Sequence, residues 1–297
     1  MAFAVPTPTL ARNGLDADPL PLPASAWGVD DALQALREAW LTLPLRFRLA
    51  RPTVVAALTT VVLRTGRYAV KVYPPGTDPE HLDHIAGQLT GTVTAVLPLH
   101  PAVVTSHGIV VVSRWVRTTD VLDWPATGGL LARFHADHAK ADLPPWAPLR
   151  RLPHQVADLP DEAAAVLLTA RAALLDALDE VGSELGHGAI HGDVSPSNVL
   201  LTPGGPRLID LDFVARGPRE YDLTSAARRH AAGQMDDEAY LGFCRMYGHD
   251  VRGWGGLALL DRLADLAGVA FRLWDDRHHG RSLDWLDDEV DRWRVPW

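Results

Sequence analysis

The stretch of sequence that most constrains the fold of this chain is HGDVSPSNVLLTPGGPRLIDLDF, residues 191–213. Two short apolar runs, Val199 to Leu201 and Leu208 to Leu211, flank Pro-Gly-Gly-Pro, which favours a turn, so the stretch predicts a β-hairpin. Antiparallel pairing places the start of one strand beside the end of the next. The hairpin therefore brings three polar residues to one patch: Asp193, Asn198 and Asp210.

Two carboxylates and an amide oxygen are ligands of the kind that Mg²⁺ prefers. They also suit phosphoryl transfer to a hydroxyl, in which a carboxylate orients the hydroxyl while metal-bound oxygens hold the phosphates. A cation is needed near those phosphates, and Lys71 is a candidate because a lysine in the apolar run AVKVY is unusual without a partner. Asp212 would share a strand face with Asp210, where it could support the metal ligands; we prefer local hydrogen bonding.

The pattern around the hairpin predicts a two-lobed α+β architecture. Residues 1–28 are rich in Pro and Ala and predict an extended arm. Residues 29–115 predict a strand-rich N-lobe, and residues 116–297 predict a helical C-lobe that contains the hairpin. Asp30 or Asp31 is the expected cap of a first helix, and Asp161 that of a long helix over residues 161–185. The expected N-lobe strands are Phe47 to Val55, Leu58 to Leu63, Tyr68 to Tyr73, Val93 to Leu97 and Ile109 to Val112.

The composition of the chain argues against some classes of partner, among them nucleic acids and membranes. Its net charge of −9 disfavours a bulk interaction with nucleic acid, and its single cysteine, Cys244, excludes an internal disulfide. The N-terminal residues lack a basic segment followed by an apolar run, and the most apolar helical stretch, Gly256 to Trp274, contains charged residues. We therefore expect a soluble, cytoplasmic protein without nucleic-acid or membrane partners.

Several motifs resemble those of one family in their order along the chain. HGDVSPSN and LIDLDF resemble the catalytic and metal loops of the aminoglycoside-phosphotransferase and choline-kinase-like family, and AVKVY, LLARFH and REYDLTSAA resemble its other motifs. The resemblance spans roughly residues 45–245. It implies a protein-kinase-like fold and a Mg²⁺-dependent kinase that moves the γ-phosphate of ATP or GTP to a hydroxyl of a small molecule, such as an aminoglycoside, another antibiotic or a biosynthetic metabolite.

The same resemblance implies roles for individual residues. Asp193 matches the catalytic aspartate, and Asn198 and Asp210 match the metal ligands that also hold the nucleotide. Lys71 matches the lysine that contacts the nucleotide phosphates. Its ion-pair partner in the following helix is Glu80 or, equally well, Asp83, with His84 in another plausible alignment.

Further residues match supporting positions of the family. The connector from Ser113 to Val116, which includes Trp115, falls where the adenine ring binds. A supporting role around the catalytic loop is implied for His191, Ser195, Asp212 and Asp222. In aminoglycoside kinases, acidic side chains near the C-terminus bind amino groups of the drug, and a solvated helix face is the alternative here. The candidates for such substrate contacts are Asp261, Asp265, Asp275 and Asp276.

Two other functions remain open from the sequence. The segment RPTVVAALTT lacks the small residues that the family often has in its nucleotide loop, which is compatible with a catalytically silent kinase-fold protein that binds a nucleotide or metabolite. Asp210-Leu211-Asp212 could instead be the DxD site of a metal-dependent glycosyltransferase, although Lys71 and the loop from His191 to Asn198 would then be coincidences. A protein kinase is disfavoured because the twelve positions from Asp210 to Asp222 leave little room for a peptide-docking segment.

Overall fold

The structure is a computed structural model that describes residues 18–47, 50–118 and 122–296. Residues 1–17 of the expected N-terminal arm, and residues 48 and 49 of the first expected strand, lie outside the described residues. The strand-rich half contains these elements: α1 Val29–Thr42, β1 Thr53–Ala57, β2 Val61–Thr65, β3 Tyr68–Tyr73, α2 Pro79–Gln88, β4 Val103–Thr105 and β5 Gly108–Arg114.

The N-lobe is an antiparallel sheet with strand order β1-β2-β3-β5-β4 and with α1 packed on one face. Side chains alternate across a strand, so Val70 and Val72 of β3 are buried against α1, whereas Lys71 and Tyr73 point to the opposite face. The apolar stripe of α1 covers the first face with Ala32, Ala35, Leu36 and Ala39. The sheet thus delivers Lys71 to the cleft between the lobes.

The C-lobe is mainly helical and contains two short two-stranded antiparallel ribbons: β6 (His187–Ile190) paired with β9 (Ala215–Pro218), and β7 (Val199–Thr202) paired with β8 (Gly205–Leu208). Its largest core cluster joins buried residues of its helices, with Phe134, Leu167, Phe243 and Leu266 among them. No helix in the described part of the chain is both long enough and apolar enough to span a membrane. The elements are α3 Trp124–Asp137, α4 Leu152–Gln155, α5 Asp161–Glu180, β6 His187–Ile190, β7 Val199–Thr202, β8 Gly205–Leu208, β9 Ala215–Pro218, α6 Tyr221–Ala231, α7 Asp237–Tyr247, α8 Leu257–His278 and α9 Leu286–Trp293.

A segment ahead of α1 joins the two lobes. The Pro19 carbonyl accepts a 2.8 Å hydrogen bond from the Asp78 N–H at the start of α2. Leu20 is buried against β3 and β5, and its carbonyl accepts a hydrogen bond from the Arg151 guanidinium of the C-lobe. The Asp18 carboxylate pairs with both Arg150 and Arg151, at 3.1 and 2.8 Å.

Several expected element boundaries are wrong, and the physical reasons are local. Residues Leu45–Phe47 form a single 3₁₀ turn, and the first strand begins only at Thr53. Residues 93–97 form no sheet strand; the backbone of Val96 donates instead to the Leu208 carbonyl at the edge of the C-lobe hairpin. Helix α5 ends at Glu180, where the chain becomes extended at Val181.

The expected helix caps also differ from those in the structure. Gly28 precedes α1, and Asp31 stabilises that end by accepting a hydrogen bond from the Gly28 N–H at 3.1 Å. Pro160 precedes α5, so Asp161 is the first helical residue rather than the cap. Both acidic residues lie in the first turn, where a negative charge interacts favourably with the helix dipole.

Helices α3 and α7 pack closely through Gly128, which gives a test of the C-lobe core. A Cβ atom at Gly128 would lie 2.3 Å from the Phe243 carbonyl oxygen, so Gly128→Ala must push the helices apart. We expect a loss of about 1–3 kcal/mol in unfolding free energy, measured by urea denaturation, despite the better helix propensity of alanine. Gly129→Ala is the control, because its Cβ would meet only the flexible end of Met246. Equal stability of the two variants would contradict this packing.

Candidate active site

The polar loop after β6 and the segment after β8 lie against each other at the cleft. Gly192 has a φ of +80°, and a Cβ atom there would lie 2.2 Å from the Phe213 carbonyl oxygen. Only glycine satisfies both the left-handed backbone and this close approach. The two segments meet as the hairpin prediction required, and they carry Asp193, Asn198 and Asp210.

Asn198 fixes the position of Asp193. Its Nδ2 donates to the Asp193 carboxylate at 2.8 Å and to the Asp193 carbonyl at 2.9 Å. Because both hydrogen bonds use the amide nitrogen, the Asn198 Oδ1 remains available as a ligand as far as the described residues are concerned. The Asp193 side chain opens onto the cleft, where desolvation by the cleft walls and the charge of Asp210 raise its pKa above the usual aspartate value.

Lys71 bridges two carboxylates across the cleft. Its Nζ lies 2.6 Å from Asp210 and 2.7 Å from Asp212, and the Tyr73 hydroxyl donates to Asp212 at 2.7 Å. Tyr73 was missed in the sequence, although it lies two residues beyond Lys71 and therefore on the same strand face. We call the set Lys71, Asp193, Asn198, Asp210 and Asp212 the polar centre.

The expected ion pair between Lys71 and the following helix is wrong for this structure. Glu80 is exposed at the start of α2, and its backbone N–H is used by the capping Asp78. Asp83 accepts from the Ala102 N–H, and His84 contacts the Asp142 carbonyl. The lysine instead finds its counterions on the C-lobe, because both carboxylates there lie directly across the cleft.

The expected local hydrogen bonding of Asp212 is also wrong, because its partners Lys71 and Tyr73 are about 140 positions away in sequence. Strand β8 ends at Leu208, so the face argument for Asp210 and Asp212 does not apply. Asp210 itself has φ 63° and ψ 70°. A non-glycine residue in this left-handed region costs free energy and is held there by its surroundings, which is typical of functional sites.

The charges of the polar centre are unbalanced, with three carboxylates and one ammonium. Burial alone would lower the pKa of Lys71, but Asp212 and Asp210 hold that pKa well above its usual value. Burial and the neighbouring Asp210 raise the pKa of Asp212. Burial also acts on Asp210, but Lys71 outweighs it and keeps the pKa of Asp210 below the usual value. Such a cluster favours a further cation.

The donor set fits a divalent metal when a nucleotide is included. Among the described residues, no three acidic, histidine or cysteine side chains are arranged as a metal cage. Asp210 and the Asn198 oxygen are nevertheless hard oxygen donors, and the Asp210 side chain is 36% exposed towards the cleft. Mg²⁺ commonly binds through one or two such groups together with water and substrate phosphates rather than in an all-protein cage.

Asp222, on α6, holds the backbone of the loop after β6. Its carboxylate accepts hydrogen bonds from the N–H groups of His191 and Gly192, at 2.6 and 2.9 Å. His135 Nε2 lies 2.9 Å from the same carboxylate. Burial opposes ionisation here, but these hydrogen bonds and His135 keep the pKa of Asp222 below the usual aspartate value. His135 was not singled out as a partner of Asp222, although it closes the motif LLARFH.

His191 and Ser195 occupy different positions relative to Asp193. The His191 Nε2 donates to the Ile209 carbonyl at 2.9 Å, and its Nδ1 accepts from the Asp193 N–H at 3.3 Å. Both ring nitrogens are thus engaged with the backbone, which supports an architectural role. The Ser195 Oγ is hydrogen-bonded to the Ser197 Oγ at 2.8 Å rather than to the Asp193 side chain.

Of the two connector residues predicted to contact a nucleotide, Ser113 lines a cavity in the cleft and Trp115 does not. Ser113 lines a small cavity of about 80 Å³ beside Lys71, Tyr73 and Asp212. Trp115 lies outside the residues that line this cavity. Its backbone N–H donates to the Arg67 carbonyl at 2.8 Å, and the centre of its indole ring lies 4.8 Å from the Arg64 guanidinium. A nucleotide contact from Ser113 remains a prediction. The backbone N–H of Trp115 already has a hydrogen-bond partner within the N-lobe, the Arg67 carbonyl.

The four acidic substrate candidates do not line the cleft in this structure. Asp261 and Asp265 pair with Arg228, at 3.6 and 3.0 Å. Asp275 and Asp276 both pair with Arg281, and Asp276 also accepts from the Trp285 indole N–H. Their carboxylates are used to hold helices and the segment before α9, which the sequence did not reveal because the arginines are contributed by other elements.

The cleft around the polar centre has a volume of about 450 Å³. It is bounded by the β1–β2 turn, by the segment before α4 and by α8, and Asp193, Asp210 and Asp212 all line it. The glycine-free turn contributes Leu58, Thr59 and Thr60. A cleft of this size is suited to small molecules rather than to a folded partner.

Comparisons with known proteins agree with this architecture. The sequence matches the phosphotransferase enzyme family over residues 55–260. No curated protein matches the sequence. Among solved structures, the fold is similar to a choline/ethanolamine kinase family protein from Mesorhizobium loti, with 17% identity, a TM-score of 0.60 and coverage of 89% of this chain and 92% of that chain.

Two further structures share the fold. The amicoumacin kinase hAmiN, solved with AMP-PNP, Ca²⁺ and Ami, has 14% identity and a TM-score of 0.66, over 89% of this chain and 92% of that chain. The choline kinase LicA from Streptococcus pneumoniae has 14% identity and a TM-score of 0.61, over 89% and 99% of the two chains. At these identities the likeness establishes the fold, and the two-lobed α+β expectation is confirmed.

The hydrogen bonds of Asp222 generate a stability prediction. Asp222→Asn should lower the unfolding free energy by about 2–4 kcal/mol at neutral pH, because an amide cannot satisfy all the donors that face the carboxylate. Since the pKa of Asp222 is lowered by folding, its stabilisation is complete above the unfolded pKa and is lost as pH falls through the folded pKa. The difference from wild type should therefore shrink below about pH 4.

Urea unfolding at neutral and acidic pH measures this difference. Asp176→Asn is the matched control, because Asp176 is an exposed residue of α5. A gap between wild type and Asp222→Asn that stays constant with pH, or that is no larger than that of the control, would show that Asp222 does not hold the loop as a carboxylate.

Proposed function

The chain belongs to the phosphotransferase enzyme family, and from that premise we propose that it transfers the γ-phosphate of ATP or GTP to a hydroxyl group of a small molecule. The observation that carries this proposal is the convergence of Asp193, Asn198 and the ion pair of Lys71 with Asp210 in one cleft. The Asp193 carboxylate is exposed to the cleft and is held by Asn198. Both properties are needed in a group that forms a hydrogen bond with an incoming acceptor hydroxyl.

In this proposal Asp193 orients the acceptor hydroxyl and accepts its proton. The raised pKa of Asp193 makes the carboxylate a better proton acceptor than an ordinary aspartate, and general-base catalysis needs such a match. Asn198 restricts the rotamer of Asp193, so the hydroxyl is presented in a defined direction. Positioning of this kind supplies much of the catalysis in phosphoryl transfer.

Lys71 would contact the phosphates of the nucleotide. In the structure its ammonium is shared by Asp210 and Asp212, and phosphate oxygens are alternative anionic partners within the same cleft. Tyr73 lies beside the lysine on β3, and Asp212 contacts the ammonium from the C-lobe, so the two residues together would keep the lysine aimed at the cleft. The lysine is thus held as a charged group before a nucleotide arrives.

Asp210 and the Asn198 oxygen would hold a divalent cation, with Mg²⁺ the expected ion. When bound, the cation neutralises charge on the phosphates. The amicoumacin kinase that shares the fold was solved with AMP-PNP and Ca²⁺, which supports a site of this type for a nucleotide and a divalent cation. ATP and GTP remain equally compatible donors.

Asp193→Asn tests the proposed chemistry directly. We expect the rate of nucleoside diphosphate release in the presence of an accepted alcohol to fall on the order of 100-fold or more, because the amide cannot accept the proton. Nucleotide binding should survive. Ser197→Ala is the control in the same loop, since Ser197 is exposed and contacts only Ser195 among the described residues. Turnover at the wild-type rate in Asp193→Asn would refute the assignment.

Asp210→Asn tests the metal and nucleotide site without requiring an acceptor. A ligand that binds only the folded state at a hundredfold excess over its Kd stabilises that state by about 2.7 kcal/mol. We expect wild type to be stabilised by ATP or GTP only with Mg²⁺, and Asp210→Asn to lose the magnesium dependence. The measurement is thermal unfolding with each nucleotide, with and without the cation. Absence of any shift in wild type would instead favour a silent fold that binds another metabolite.

A further inference from the structure

One wall of the cleft is apolar and aromatic. Helix α8 supplies the following residues to it: Leu263, Ala267, Ala270 and Phe271. Phe271 is 43% exposed despite its size, and the segment before α4 adds Trp146, whose ring centroid lies 4.4 Å from that of Tyr221. An accessible aromatic surface inside a cleft stabilises an apolar ligand, because contact with that ligand removes both surfaces from water.

Beyond the polar centre, the ionised side chains of the cleft are basic. Arg150 and Arg151 line the cleft itself. A second recess of about 460 Å³, which shares Asp193 and Tyr221 with the first, is lined by Arg228 and Arg229. Of the described residues that line either recess, the acidic ones are those of the polar centre: Asp193, Asp210 and Asp212.

The nearby carboxylates that could have received a cation are committed to these arginines. Asp18 pairs with Arg150 and Arg151, and Asp261 and Asp265 pair with Arg228. An ammonium group on the part of the acceptor that covers the apolar wall would therefore lack a counterion there and would approach guanidinium groups elsewhere. Burying an unpaired charge is costly, so this surface discriminates against cationic acceptors.

Given the proposed function, on which this step rests, we infer that the acceptor is an alcohol with a bulky apolar body and without a cationic group on that body. The hydroxyl faces Asp193, and the apolar body covers Phe271 and the small residues of α8. Ala267 and Ala270 leave room for that body, because neither side chain extends beyond a methyl group. The part of the acceptor that covers the wall therefore differs in charge from an aminoglycoside, which carries several amino groups.

Two neighbouring substitutions on α8 distinguish the effect of a carboxylate inside the cleft from the effect of the same charge on the outer face of the helix. Ala267→Asp adds a carboxylate to the cleft wall, whereas Gly268→Asp adds the same charge one residue later, where the position is exposed and outside the residues that line the cleft. Ala267 is exposed, and a Cβ atom at Gly268 would meet no atom within 4 Å, so neither added side chain is forced into a close contact. Thermal unfolding establishes that each variant is folded.

The probes are naphthylpropanol and the same alcohol with an aminomethyl group on the naphthalene ring, away from the hydroxyl. Binding of each is measured by calorimetry in the presence of Mg²⁺ and a non-hydrolysable ATP analogue. We expect wild type and Gly268→Asp to bind the neutral alcohol about tenfold more tightly than the amine. Ala267→Asp should reduce or reverse this preference, because the new carboxylate pairs with the ammonium.

Three outcomes would overturn the inference: equal or tighter binding of the amine by wild type, no binding of either probe, or indistinguishable preferences in Ala267→Asp and Gly268→Asp. These readouts do not depend on phosphoryl transfer. Release of ADP from ATP with the neutral alcohol tests the proposed function separately. Selective binding without any ADP release would count against the kinase and leave the charge preference of the cleft standing.

Discussion

The rest of the site depends on one interaction, the sharing of the Lys71 ammonium by Asp210 and Asp212. It joins β3 of the N-lobe to the segment after β8 in the C-lobe, at distances of 2.6 and 2.7 Å. Because the three carboxylates of the polar centre would otherwise repel one another, the lysine makes their approach tolerable. The two faces of β3 are thereby distinguished: Lys71 faces the cleft, and Val70 and Val72 are buried on the opposite face.

Behind this contact, the C-lobe supplies a rigid support. Asp222 accepts hydrogen bonds from the backbone of the loop after β6, Gly192 lets that loop contact the Phe213 carbonyl, and Asn198 restrains Asp193. Each of these contacts acts on the backbone or on a single rotamer, so the Asp193 carboxylate is positioned without being shielded from the cleft. The left-handed conformation of Asp210 is maintained by the same surroundings, because an isolated residue would relax to a more favourable backbone conformation.

Features that depend on local sequence pattern could be predicted, such as the hairpin. Contacts between residues far apart in the sequence, such as the ion pairs, could not. The turn between Val199 and Leu208 was readable, so the convergence of Asp193 with Asp210 could be predicted from hairpin geometry. The partner of Lys71 could not, because Glu80 and Asp212 are equally acidic and only the packing of the lobes chooses between them. The acidic residues of α8 were likewise expected in the cleft, since nothing in their own helix reveals that Arg228 and Arg281 neutralise them.

The segment that runs from Asp18 to Leu20 has a mechanical consequence. It is anchored on α2 through Pro19 and on the C-lobe through Arg150 and Arg151, while the connector after β5 joins the lobes elsewhere. Any separation of the lobes at this point would have to break the ion pairs of Asp18 and the hydrogen bond that the Leu20 carbonyl accepts from Arg151. The lobes are therefore joined through space at a second place, apart from the covalent connector.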